Sequence, residues 1–290
     1  MSRGSREATS GILKGSMRDN YSEHGVEQYY KKVGATYRNP HFPGVRSCIF
    51  SWLNRWWATE SNDPRSHPEK LVVFDMACGD GEVTLSVLEW WQLSQTTAIE
   101  TKHTLIDDMG EGKERVSALR KLRARELRPV TVSSQLPRPT VLAADPFTAE
   151  AYHARASLHC SPLSFRQIAE GALPVVCSSN TSSDEQSNGN EDVHYAAEGD
   201  DTLYIDMVIC SFALHLIETP SELFALLWEL STKCRWLVVI APHKKPDIKD
   251  GWGWCKWNVE TWTQCPMNES QGEFLQERVH CRIYRSLNAY

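Results

Sequence analysis

The sequence predicts an α/β protein: a doubly wound, mostly parallel sheet with helices on both faces, preceded by an N-terminal helical extension. Three observations carry this. Short, uniformly apolar, β-rich runs recur at LVVFDMA (71–77), TVLAADP (140–146), LYIDMVICSF (203–212) and RWLVVIAP (235–242). Strands apolar on both faces belong to buried parallel sheets. Helical stretches at 83–91, 148–156 and 220–232 separate these runs, the alternation that joins parallel strands. The first run passes directly into Gly79 and Gly81, a tight turn that opens a helix.

Along the chain, residues 1–20 carry charges but no apolar signal-peptide stretch, and read as a flexible tail. Residues 21–60 read as a helical lid segment. Val26, Tyr29, Tyr30 and Val33 fall at helical spacing up to Gly34, the prolines of TYRNPHFPGV enforce a turn, and Ile49, Phe50, Leu53 and Trp57 form a second amphipathic helix. SNDPRSHPEK (61–70) is a linker, and 71–290 form the main domain, with insertions near 94–138 and 172–202. The first insertion holds a basic helix with Lys121, Arg123 and Arg125; the second, polar and acidic with almost no apolar content, is expected to be a disordered loop. SFRQI (164–168) is a weaker element of the series, and VHCRIYRSL (279–287) alternates as a terminal strand. Trp252, Trp254, Trp257 and Trp262 are expected to cover the sheet's edge, with one or two reaching the functional site.

The 290 residues accommodate one large or two small domains. With 41% hydrophobic and 23% charged residues, global disorder is excluded. No window supplies the roughly 18 apolar residues of a membrane-spanning helix. A formal charge of −6 makes the chain a poor general nucleic-acid binder. Its nine cysteines include no C-x-x-C pair, and Cys255, Cys265, His280 and Cys281 fit no zinc spacing. The expectation is free thiols without a metal, in a reducing compartment: the cytoplasm, with the nucleus as alternative.

The most informative segment is VFDMACGDGEVT (73–84). A dinucleotide site reads G-x-G-x-x-G, but here the third glycine position is Thr84, and Asp75 before the glycines would repel a pyrophosphate. A cationic ligand end would instead be welcome there, which favours S-adenosylmethionine over NAD. D-x-A-C-G-x-G-x-x-T resembles motif I of the class I S-adenosylmethionine-dependent methyltransferases, a likeness extending over about 71–242. It implies a Rossmann-like methyltransferase sheet, S-adenosyl-L-methionine as cofactor, and Asp75, Ala77, Gly79 and Gly81 around the cofactor's amino-acid end. In that family an acid ending the second strand holds the ribose. Asp145 is chosen over Asp107, because it ends the better strand and is followed by proline and a helix. The resemblance further places Gln167 beside the adenine and Ser211 after the fourth motif strand.

On the substrate side, His215 follows that strand and is the candidate general base, since histidine titrates near neutrality. His243, in APHKKP, is a second candidate for the substrate site. Tyr37, Asn39 and His41 sit in the proline-bounded turn and suit a closing segment. YYKKVGATYRNP also resembles, over a handful of residues, a segment of Bicoid-interaction-type RNA 5′-phosphate methyltransferases. The resulting expectation is an enzyme moving a methyl group to an oxygen or nitrogen of a small molecule. The alternatives are an RNA methyltransferase and a non-catalytic S-adenosylmethionine sensor.

Overall fold

The computed structural model describes residues 39–61, 70–100 (96–100 as backbone only), 128–129, 137–174 and 204–289. The expected tail, Tyr29, Tyr30, Tyr37 and Asp107, Lys121, Arg123 and Arg125, and nearly all of the two expected insertions lie outside the described residues.

The elements run α1 (Phe42–Glu60), β1 (Val72–Met76), α2 (Glu82–Glu100), β2 (Thr140–Ala144), α3 (Ala149–Ala156), α4 (Phe165–Ala169), β3 (Ile205–Ser211), α5 (Pro220–Lys233), β4 (Cys234–Ala241), β5 (Trp254–Asn258), β6 (Thr263–Cys265), β7 (Phe274–Gln276) and β8 (Val279–Ser286). They build a mixed α/β fold around one sheet of order β2-β1-β3-β4-β8-β5-β6, with β7 also paired to β8. The first four strands are parallel, as the apolar runs predict. Beyond β4 every pairing is antiparallel. Strands β5, β6 and β7 are absent from the sequence expectation, because Trp-rich and polar residues replace the aliphatic run that marks a central strand.

Alternation along the strands splits the core into two layers. Val73, Met207, Ile209, Trp236, Val238 and Ile240 face one way, onto α1 and α2. Phe74, Val208, Cys210, Leu237 and Val239 face the other, onto α4 and α5. Helix α1, part of the stretch expected as a lid, is core: Val45, Cys48, Ile49, Trp52, Leu53 and Trp56 are all essentially inaccessible. It approaches β8 so closely that a Cβ on Gly44 would lie 2.7 Å from the Val279 side chain. Trp52 meets Trp236 edge-on at 5.3 Å and stacks on Trp262 at 5.8 Å. At the end of α1, buried Glu60 accepts from the Trp262 indole and pairs with Arg235 at 2.8 Å. Trp257 and Trp262, after β4, therefore seal α1 against the sheet.

Two further boundaries differ from expectation. The helix read at 83–91 runs on to Glu100, into the span read as insertion. SFRQI is a short helix, started by a capping box in which Ser164 and Gln167 exchange side-chain bonds with each other's backbone. No described helix is long and apolar enough to cross a membrane. The eight described cysteines carry free thiols.

Trp52→Ala is expected to cost about 3–5 kcal/mol, as large-to-small changes at buried aromatics do. Trp228→Ala, at a site 46% exposed, should cost less than about 1 kcal/mol. Urea unfolding of both variants against the parent checks the contrast.

Candidate functional site

Strand β1 lies between β2 and β3, so the chain leaves β1 to one side and returns on the other. In open α/β sheets, ligands bind beyond the strands' carboxyl ends at such a reversal. Met76 pairs with Cys210, so β1 and β3 end nearly level. Just past them the backbone turns at non-glycine residues in the left-handed region, Ala77 at φ 56° and Phe212 at φ 57°. Each costs roughly 1–2 kcal/mol, a strain typical of functional turns. A cavity of about 1030 Å³ opens there, lined by Ala77, Gly79, Ser211, Phe212 and the groups described below.

Asp75 lies at its floor, 1% exposed. Its Oδ2 accepts from the Thr84 amide at 3.0 Å and the Thr84 hydroxyl at 2.7 Å. Because that hydroxyl proton is committed to Asp75, the Tyr152 hydroxyl, 3.0 Å away, donates to Thr84. The other oxygen, Oδ1, is buried without a hydrogen-bond partner. Burial outweighs the two Thr84 bonds and, with the nearby Asp145 and Asp80 charges, raises the Asp75 carboxyl to about 7. Thr84, which closes the sequence motif that Asp75 opens, is thus the residue that orients the acid.

Asp145 stitches the glycine turn to the end of β2. It accepts from the Gly79 amide at 3.2 Å, and from Phe147 and Thr148 at 2.8 and 3.1 Å. The Thr148 hydroxyl returns a bond to the Gly79 carbonyl at 2.7 Å. Gly79 is open: a Cβ there would meet nothing within 4 Å. Gly81 turns away from the cavity, and at φ +94° its Cβ would press on the Tyr152 ring at 3.2 Å. Its glycine serves packing behind the turn.

The turn before α1 walls one side. The Asn39 amide donates to Glu82 at 3.1 Å, the His41 amide donates to the Asn39 side chain at 2.9 Å, and the His41 ring stacks on Phe212 at 5.4 Å. Asn39 and His41 therefore run from the glycine turn to the end of β3. Burial and the adjacent Asp80 charge raise the Glu82 carboxyl to about 7. His215, on a short 3-10 turn after β3, lines the cavity together with His243 after β4. Burial, then the neighbouring His243, lowers the His215 imidazole below its usual value. The shift favours its neutral form, the one that can take a proton. Arg282, on β8, donates to the carbonyls of Lys244, Lys245 and Pro246, which fixes the loop carrying His243.

The fold thus brings Asp75, Ala77, Gly79, Asp145, Ser211, His215, His243, Asn39 and His41 to one cavity, from five separate stretches of sequence. Gln167 does not reach it: its side chain is exposed and held by the Ser164 cap, and Leu163, Phe165 and Ile168 supply the wall there. None of Trp252, Trp254, Trp257 or Trp262 lines the cavity, because β5 and β6 lie at the opposite edge of the sheet. Sequence reasoning missed Glu82 and Phe212. The signal for Glu82 was its place directly after the second glycine; Phe212 had none beyond following a strand.

No protein-family model matches the chain. It is 39% identical over 274 residues to "Uncharacterized protein C17A5.05c" of Schizosaccharomyces pombe, across 94% of this chain and 93% of that one. Among solved structures it is similar to the magnesium protoporphyrin IX methyltransferase (ChlM) from Synechocystis PCC 6803 with bound SAM, at 12% identity and a TM-score of 0.40, over 96% of this chain and 98% of that one. A superposition that loose establishes neither activity nor ligand.

Asp75 holds its proton in the folded state to about pH 7, whereas an unfolded Asp releases it near 3.9. The native state then binds more protons than the unfolded state between those values, so stability falls as pH rises from about 4 to 7 and levels above. Asp75→Asn should flatten that decline relative to the parent in urea unfolding run across the pH range. An unchanged slope would refute the buried, protonated carboxyl.

Proposed function

The chain belongs to the family of the Schizosaccharomyces pombe protein C17A5.05c, and we propose that its cavity binds S-adenosylmethionine and directs methyl transfer to an oxygen or nitrogen of a small molecule. The observation that carries this is the buried, half-satisfied Asp75 carboxylate at the cavity floor. An orphaned buried acid is costly, and a bound ammonium relieves that cost by giving Oδ1 a charged donor. The residues fit such a ligand. Asp75 meets its ammonium, Gly79 leaves open space for the chain to pass, and Ser211 offers a buried hydroxyl without a partner. Asp145 stands at the end of β2, where the sequence resemblance places the ribose; its oxygens already accept three amides, so any ribose hydroxyl shares them. The apolar wall of Leu163, Phe165 and Ile168 accommodates a flat base.

When bound, the cofactor supplies a methyl carbon on a positively charged sulfur, already activated for displacement. The protein's part is positioning and proton transfer. Neutral His215 takes the proton of an acceptor that carries one, and the Asn39–His41 turn, clamped between Glu82 and Phe212, helps exclude water. Four carboxyl groups at the glycine turn and β2 keep this end of the cavity favourable to positive charge and hostile to a pyrophosphate.

Calorimetric titration with S-adenosylmethionine and S-adenosylhomocysteine should show micromolar binding of both. Loss of the charged hydrogen bond in Asp75→Ala should weaken it about 10- to 100-fold. Because the ligand ammonium favours the ionised acid, binding at pH 6 should release protons, read as a dependence of the heat on buffer ionisation enthalpy. Saturable NAD binding without any response to the two sulfur ligands would overturn the reading. Transfer activity unaltered in His215→Ala would remove the proposed base.

A further inference from the structure

Resting on the S-adenosylmethionine reading, we infer that the methyl acceptor is a cationic amine, and that the cavity excludes phosphate- and carboxylate-bearing acceptors. The charge of the walls supports it. Asp75, Asp80 and Glu82 line the cavity from β1 and the glycine turn, and Glu170, Glu218 and Glu222 from the end of α4, the loop after β3 and the start of α5. Among the described residues lining the cavity, the single Lys or Arg is Arg166, which is exposed and paired with Glu170 at 3.0 Å. Asp80 is compensated from outside the lining by Arg155, at 2.5 Å, and Glu222 is engaged by Thr219 at the start of α5. Arg155 also tempers the Glu82 charge, and Glu218, three residues after His215, brings a further carboxylate to the same lining. Among the described lining residues, an anionic acceptor entering here meets mostly carboxyl groups and an Arg166 already paired with Glu170. An ammonium meets the opposite.

Space permits it. Pockets for a single drug-sized ligand run about 300–1,000 Å³, and this cavity, at about 1030 Å³, has room for a nucleoside-sized cofactor and a second small molecule. The apolar part of the wall, with Phe212, Ile217 and Pro242 near His215 and His243, suits an amine with a hydrophobic or aromatic body.

The chemistry balances. The ammonium gives one proton to the neutral His215 imidazole, and the freed nitrogen lone pair forms the bond to the methyl carbon. The carbon–sulfur bond breaks as this happens, and its electron pair stays on sulfur. The sulfonium becomes a neutral thioether, the product is a methylated ammonium, and the histidine carries the proton away. Total charge is conserved, and the carboxylates face a cation before and after transfer.

The test uses the full chain saturated with S-adenosylhomocysteine and two ring-matched probes of opposite charge, phenethylamine and 3-phenylpropionate, titrated calorimetrically. The amine should bind at least tenfold more tightly than the acid. Glu218→Gln should cut amine affinity about fivefold while S-adenosylhomocysteine affinity stays within twofold. Equal affinity for the two probes, preference for the acid, or binding of neither overturns the amine inference and leaves the cofactor reading intact. Failure of S-adenosylhomocysteine to bind overturns the cofactor reading itself, and this inference with it.

Discussion

A carboxylate buried at the end of a central strand governs this structure. Asp75 keeps only one oxygen hydrogen-bonded, and both donors come from Thr84 in the first turn of α2. That pair of bonds sets how the helix leaves the glycine turn, and Tyr152 of α3 braces it from behind. Asp145 performs the matching task from β2, pulling the Gly79 amide toward the neighbouring strand. The turn between β1 and α2 is therefore held by acids on both sides. The orphaned oxygen of Asp75 belongs to a residue that lines the cavity. The acidity of the site and the shape of the turn have the same origin.

The rest of the molecule holds that arrangement still. Helix α1 does not sit on the sheet as a peripheral cover. It is sealed into one core layer by Trp236, Trp257 and Trp262, and anchored at its end through Glu60 and Arg235. Because α1 is packed into the core, it sets where the Asn39–His41 turn immediately before it meets the cavity. The antiparallel strands beyond β4 serve the same end. They carry the tryptophans that close the α1 layer and the Arg282 guanidinium that holds the loop of His243.

Electrostatics joins fold to chemistry. A low local dielectric raises Asp75 and Glu82 toward neutrality and lowers His215, so the empty site avoids much of the charge it would otherwise bury. A cationic ligand reverses the balance for the acids and leaves the histidine ready for a proton. Perturbed titrations gathered in one cavity are a common feature of catalytic sites.

The sequence by itself determined the four parallel strands, the glycine turn and its acid, and the residues at the carboxyl ends of the strands. These are local: a strand buried on both faces must be uniformly apolar, and a glycine turn is written in adjacent letters. Asp75, Gly79 and Ser211 were legible for that reason. Tertiary structure alone decided that Glu82 clamps Asn39 and that His41 stacks on Phe212, since each joins stretches whose relative placement no local pattern encodes. It also decided against Gln167, whose amide could serve a ligand or a helix cap and was taken by the cap three residues away. The antiparallel strands β5 to β7 escaped notice because their stability comes from pairing with β8 and from tryptophan packing, and neither leaves an apolar period in the sequence.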